Sequence, residues 1–231
     1  MFGFRKKRTV DIDGRAPIKA ARFVVMDTEL TGLDERKDAI VSIGAVRMTG
    51  GAVHLGGTFY RLVKPSTALT RESVVVHEIT PSEVREQPGI ETALREFTAY
   101  CGNDILVGHF VSIDLGFLNR DAKRILGAPL PNPAIDTFSV YEWLRKRQQA
   151  PWCESSTVRG YKLMDIARCF GITVDGAHHA FRDALATAEL LQRFLPLLAA
   201  AGARDLGDLL AIGRPFEGSD RFRQEGEISN F

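Results

Sequence analysis

Residues 21–27, ARFVVMD, form a continuous apolar stretch that ends on an acid, and a second acid follows two positions later in DTEL. An apolar run without alternation reads as a strand covered on both faces, the kind found at the centre of a sheet with helices on either side. Carboxylates at the end of such a strand are costly unless they are paired or hold a cation. The stretch therefore constrains both the architecture and the place where chemistry can occur.

The segments that follow fit around this strand. AIVSIGAVRM predicts a second strand, Thr49-Gly50-Gly51 a hairpin turn, and AVHLGGTFYRLV a third strand in which Gly56-Gly57 marks a bulge. Short turns between the three predict an antiparallel meander. The pattern then changes. Ile90, Leu94, Phe97 and Cys101 fall at helical spacing, and DILVGH reads as a short buried strand. Leu115, Leu118, Ala122 and Ile125 predict a second helix stopped by Gly127. AIDTF is a short strand, SVYEWLRKRQQ is amphipathic, and KLMDIARCFGI is a helix ending at Gly171. The last strong helix runs from about Phe181 to Leu198. This order predicts an α/β fold, a mixed sheet with helices packed on it.

The chain has 231 residues, enough for one sizeable core. Residues 1–20 are polar and basic and are expected to be a flexible arm, 21–201 the domain, and 202–231 a charged, Gly-rich tail. A formal charge of +1 provides no global field for nucleic acid or membrane, so a polyanion would have to be held by local basic patches or by metals. Cys101, Cys153 and Cys169 form no CxxC pair, and Cys101 and Cys169 read as small core residues. There is no apolar run of the ~18 residues that a bilayer requires, and the basic start MFGFRKKRTV lacks an apolar signal region. The expectation is a cytoplasmic protein with no membrane partner.

Five residues carry the chemistry: Asp27, Glu29, Asp114, Asp183 and His178. Asp27 and Glu29 are two apart on a strand, so both side chains leave the same face. Two such carboxylates repel unless a cation sits between them, and a hard oxygen donor set selects Mg²⁺ or Mn²⁺. Taken alone, a D-x-E pair is most often a solvated strand end. Asp114 and Asp183 each open a helix, where the macrodipole favours an acid without any catalytic role. His178 precedes Asp183 by five residues in the loop entering the last helix. Jointly the acids fall along one edge of the central strands, a placement suited to a two-metal site with ions roughly 3.5–4 Å apart.

D-T-E-x-T-G, G-H with an Asp five positions past the His, and H-x-A-x-x-D-A-x-x-T together resemble the three motifs of the DEDDh (DnaQ-like) 3′–5′ exonucleases, among them the proofreading epsilon subunits of bacterial DNA polymerase III. SIGAV, VHEIT and IDT add secondary matches, and the resemblance covers about residues 21–198. It implies an RNase H-like, five-stranded mixed sheet with helices on both faces. It further implies that Asp27, Glu29, Asp114 and Asp183 organise two Mg²⁺ or Mn²⁺ ions and that His178, rather than His179, is the general base. The backbone around Leu30 and Thr31, with His109 and Phe110, would meet the terminal nucleotide. The expected activity is removal of nucleoside 5′-monophosphates from the 3′ end of DNA, single-stranded DNA favoured, in proofreading or repair. An exoribonuclease of the RNase T or oligoribonuclease kind and a non-catalytic polymerase-associated module stay open, as does a DNA polymerase partner.

The second motif departs from the family at two places. Phe110 stands where Asn is usual, and Ile113 where an aromatic residue usually precedes the Asp. Phe110 either packs in the core or stacks on a base. Arg145, Lys146, Arg147, Arg159 and Lys162 are candidates for tracking a strand backbone, and the Arg5–Arg8 tract for an electrostatic contact.

Overall fold

The computed structural model describes residues 9–150, 162–173 and 178–216. Five strands form one sheet: β1 (Arg22–Leu30), β2 (Ile40–Thr49), β3 (Ala52–Leu62), β4 (Ile105–Gly108) and β5 (Ala134–Asp136), in the spatial order β3-β2-β1-β4-β5. β1 lies antiparallel to β2 and parallel to β4, and β4 is parallel to β5. The apolar strand therefore occupies the centre, as its composition requires. At the Gly56-Gly57 position the ladder slips: Ala45 faces Phe59 and Arg47 faces His54, so Val46 alone stands opposite residues 55–58 of β3.

The alternation of β1 divides the core in two. Phe23 and Val25 face α5 (Thr137–Lys146), α6 (Leu163–Cys169), α7 (Ala180–Ala200) and α8 (Leu206–Ile212). Val24 and Met26 face α3 (Ile90–Cys101) and α4 (Ser112–Leu126). Asp27 and Glu29 continue the odd-numbered series, so their side chains belong to the α7 face. Two short helices, α1 (Arg71–His77) and α2 (Pro81–Val84), precede α3. Both start at a threonine: Thr70 accepts from the Ser73 N–H, and Thr80 pairs reciprocally with Glu83.

The expected boundaries at residues 20 and 202 need correction. Ile12 and Ile18 pack against the core, Val10 N–H donates to the Pro131 carbonyl, and the stretch ends in a 3₁₀ turn, Ile18–Ala20. At the other end Leu206 and Leu209 are buried, while the Leu206 and Gly207 N–H groups donate to the Ala16 and Gly14 carbonyls. The two flanks meet at α8, which also packs on α5 and β5. Cys101 is buried as expected, whereas Cys169 is exposed at the end of α6 and disulfide-bonded. No described helix is long and apolar enough to cross a membrane. The Arg5–Arg8 tract, Arg159, Cys153 and the rest of the tail lie outside the described residues.

Candidate active site

Packing around one glycine brings the acids together. Gly44 of β2 sits opposite Asp27 in the β1–β2 register. A Cβ at Gly44 would collide with the backbone of Ala180 and Phe181, the first residues of α7. Glycine thus lets the start of α7 press onto the sheet beside Asp27, and Asp183, one turn into the helix, descends to the strand end. Carboxylate oxygens of Asp27, Glu29 and Asp183 lie within 4.8 Å of one another.

The electrostatics follow from that crowding. Burial, then the charges of Asp114, Glu29 and Asp183, hold the Asp27 carboxyl well above the usual carboxylate range. Glu29 is pushed up to about 8 by burial and by Asp183 and Asp114. Asp183 rises to about 6 through burial, an effect moderated by the backbone N–H groups of His178 and His179 and by Arg182. Asp183 Oδ2 accepts from His178 N–H at 2.9 Å, while its Oδ1 is buried with no hydrogen-bond partner among the described residues. Three oxygen donors converging around one unsatisfied carboxylate oxygen fit a hard divalent cation.

Asp114 stands beside this group but outside it. Its Oδ1 accepts from Thr28 N–H at 2.9 Å and Thr28 Oγ1 at 2.6 Å, which ties α4 to the residue between Asp27 and Glu29. Burial takes its carboxyl to about 7, against the lowering effect of the Thr28 donors. Behind it lies Asp136, 1% exposed and also raised to about 7 by burial. Asp136 Oδ1 accepts from the N–H groups of Phe110 (3.1 Å) and Phe138 (2.9 Å), so it caps α5 and holds the turn that opens α4.

The two histidines divide. His178 is half-buried, with a backbone φ of 66°, a left-handed conformation that is costly for a residue with a Cβ and is held here by the bond to Asp183. Burial, then Lys162, depress its pKa below the ordinary histidine value. His179 stacks on Tyr60 of β3, ring centres 4.7 Å apart. His77, at the end of α1, is buried and accepts from Ile79 N–H through Nδ1 at 3.0 Å, with Nε2 unpartnered among the described residues.

The remaining expected contacts have structural duties. Thr31 N–H donates to the Ala39 carbonyl, and its hydroxyl bonds Asp38 and accepts from Ala39 N–H, so at 3% exposure it fastens the end of β1. Leu30, half-buried, is the apolar side chain left at that edge. His109 Nδ1 lies 2.9 Å from Thr137 Oγ1. Phe110, at φ 54°, packs against His109 and Phe138, ring centres 4.7 Å away in both cases. Asparagine tolerates a left-handed backbone better than phenylalanine does, which explains what the usual residue contributes here and what the aromatic packing offsets. Arg145 is paired with Glu142 at 2.7 Å, and Arg147 lies over the Trp143 ring, which leaves little of that cluster uncommitted.

Sequence reading missed Gly44, Thr28 and Asp136 as parts of the site. SIGAV and IDT were visible as matches, but only the packing of α7 on β2 and of the α4 turn on β5 assigns those residues a task.

Comparison with known proteins identifies the family. The RNase T-type exonuclease family model matches residues 24–191. The epsilon subunit of DNA polymerase III from Aquifex aeolicus is 34% identical over 173 residues, spanning 75% of this chain and 80% of that protein. A PolC-type DNA polymerase III from Thermotoga maritima is 31% identical over 82% of this chain, which spans only 13% of that much longer relative. Among solved structures, E. coli exonuclease I in complex with a dT13 oligonucleotide aligns with a TM-score of 0.69 at 18% identity, over 78% of this chain and 42% of that one. Exonuclease X in complex with 5′ overhanging duplex DNA gives 0.60 at 22% identity, over 83% and 99%. The fold is RNase H-like, and the chain belongs to the RNase T-type, DnaQ-like exonuclease family.

Proposed function

We propose that the protein is a divalent-cation-dependent 3′–5′ exonuclease that removes nucleoside 5′-monophosphates from DNA, with single-stranded or frayed 3′ ends as substrate. The convergence of Asp27, Glu29 and Asp183 carries the reading, with Asp114 held alongside by Thr28. These four acids would hold two Mg²⁺ or Mn²⁺ ions, which when bound neutralise phosphate charge and lower the pKa of the attacking water.

The chain's own groups supply the rest. Asp27 and Glu29 are fixed on a central strand, so the cations and the phosphate meet a rigid frame. Burial and Lys162 depress the His178 pKa below the ordinary histidine value, which favours the neutral imidazole able to accept a proton from water. The water oxygen forms the new bond to phosphorus, the bond to the 3′ oxygen breaks, and that oxygen takes up a proton as the shortened strand departs. The same reading assigns the terminal nucleotide to the backbone around Leu30 and Thr31, with His109 and Phe110.

The relatives favour DNA, since the similar curated proteins are DNA polymerase III components, and we extend from them a polymerase partner in replication or repair. A panel of 3′-labelled single-stranded DNA, mismatched duplex and RNA tests the reading. Trimming of DNA supports it; efficient trimming of RNA alone overturns the substrate and leaves the chemistry.

A further inference from the structure

The acids and His178 account for the reaction but leave the last described residues without a task. Beyond α8 the chain is fastened to the surface at three successive points. The Gly213 carbonyl accepts from Asp136 N–H at 2.7 Å, the Arg214 carbonyl from Ser139 Oγ at 2.9 Å, and the Phe216 carbonyl from Ser112 Oγ at 2.6 Å. The Phe216 ring lies 5.7 Å from that of Phe138. Gly213 is required for the close approach, because a Cβ there would press to 2.6 Å from Ile135 Cγ2.

The three anchors lie on different elements: the end of β5, the first turn of α5 and the first turn of α4. Ser112 and Asp114 share that turn of α4, two residues apart. The turn leading into it has Phe110 in a left-handed backbone, a conformation that persists only when its surroundings over-determine it. Asp136 holds this turn from the inside through Phe110 N–H. Residues 213–216 hold it from the outside through Ser112.

We infer that Gly213–Phe216 is a strap that sets Asp114 for cation binding, with Ser112 and Phe216 as positioning residues. The inference rests on the reading of Asp114 as a cation ligand. A ligand must be held within about 0.5 Å of its working position, and a first helical turn without outside anchors frays. Ser112 supplies the anchor closest in the chain to Asp114, and Phe216 adds an aromatic contact that keeps the strap seated.

The test measures Mn²⁺ binding to the full-length protein directly, by the electron paramagnetic resonance signal of free Mn²⁺, alongside nuclease activity. The variants are Ser112→Ala, Ser112→Ala/Phe216→Ala, Ser112→Thr as the conservative rescue, and Arg95→Ala, an exposed pair on α3, as control. A lost hydrogen bond of ordinary strength corresponds to roughly a fivefold change in equilibrium, so Ser112→Ala is expected to weaken Mn²⁺ binding about fivefold and the double variant further. Ser112→Thr and Arg95→Ala should bind as wild type does, and saturating Mn²⁺ should restore kcat in the strap variants. Unchanged Mn²⁺ binding in folded Ser112→Ala, or an equal loss in Arg95→Ala, overturns the inference while leaving the exonuclease reading intact. A wild-type protein that binds no Mn²⁺ overturns both.

Discussion

Asp183 and Asp114 look alike along the chain, each an acid in the first turn of a helix, yet the fold treats them differently. Asp183 arrives by close packing: Gly44 removes a side chain from β2, and α7 settles until the carboxylate joins Asp27 and Glu29. Asp114 arrives by hydrogen bonding: Thr28 holds the carboxylate itself, and Asp136 holds the turn in front of it. One side of the site keeps a buried oxygen, Asp183 Oδ1, with no partner among the described residues, whereas on the other side Asp114 Oδ1 already has two donors. The first region is therefore set by steric fit, while burial raises the carboxyl on both sides. The second is set by polar contacts and can be adjusted in smaller steps.

The largest effect should come from removing the residue both regions share. Asp27→Ala is expected to lower cation-dependent nucleotide release by roughly 10³-fold or more with the fold retained, checked by 3′-end assay and circular dichroism. Next, His178→Ala should cost ~10²–10⁴ in rate while Mn²⁺ binding persists. His179→Ala should leave the rate near wild type and lose only the Tyr60 stack, ~0.5–1.5 kcal/mol in a denaturation curve. Equal rate losses at the two histidines would reject the assignment of the base.

Gly44→Ala tests the steric side. Forcing α7 off the sheet should cost ~1–3 kcal/mol of stability and weaken cation binding with it. Thr28→Val tests the polar side. It removes the 2.6 Å hydroxyl donor but keeps the backbone N–H, so a shift of about fivefold in Mn²⁺ affinity with little change in melting temperature is expected. If the two substitutions gave the same pattern, the contrast between the regions would fail.

The pH dependence has a definite sign. Glu29 and Asp183 titrate higher in the folded protein than in the unfolded chain, about 8 and about 6. Their contribution to stability is therefore full below the unfolded values and is lost as pH rises through the folded ones. Without metal, melting temperature should fall between about pH 5 and 8; with Mg²⁺ or Mn²⁺ the fall should shrink, because the cation favours the deprotonated acids. A metal-free protein that gained stability over that range would contradict the proposed crowding.

The sequence made much of this legible. An apolar strand ending in D-x-E placed β1 at the sheet centre, and glycine turns and helical spacings located most other elements. Helices α1 and α2 escaped because each is too short to show a period, and the flanks escaped because their few apolar residues matter only against α8 and the first core strands. The five chemical residues were visible in their motifs. Gly44 and Asp136 were not visible as site residues, since a missing side chain and a cap acquire meaning only from what packs against them. The hydrogen bonds of the Thr31 hydroxyl to Asp38 and Ala39 were not legible either, because they cross a loop that carries no periodic signal.

The most direct test of the central claim incubates full-length protein with single-stranded DNA labelled at its 3′ end. Mg²⁺ or Mn²⁺ is supplied to wild type and Asp27→Ala, and a parallel sample receives chelator. Labelled mononucleotide should appear at once with wild type and cation, and should be absent with chelator and with Asp27→Ala. No release with either cation, or equal release by Asp27→Ala, would contradict the assignment of these carboxylates to a 3′–5′ exonuclease site.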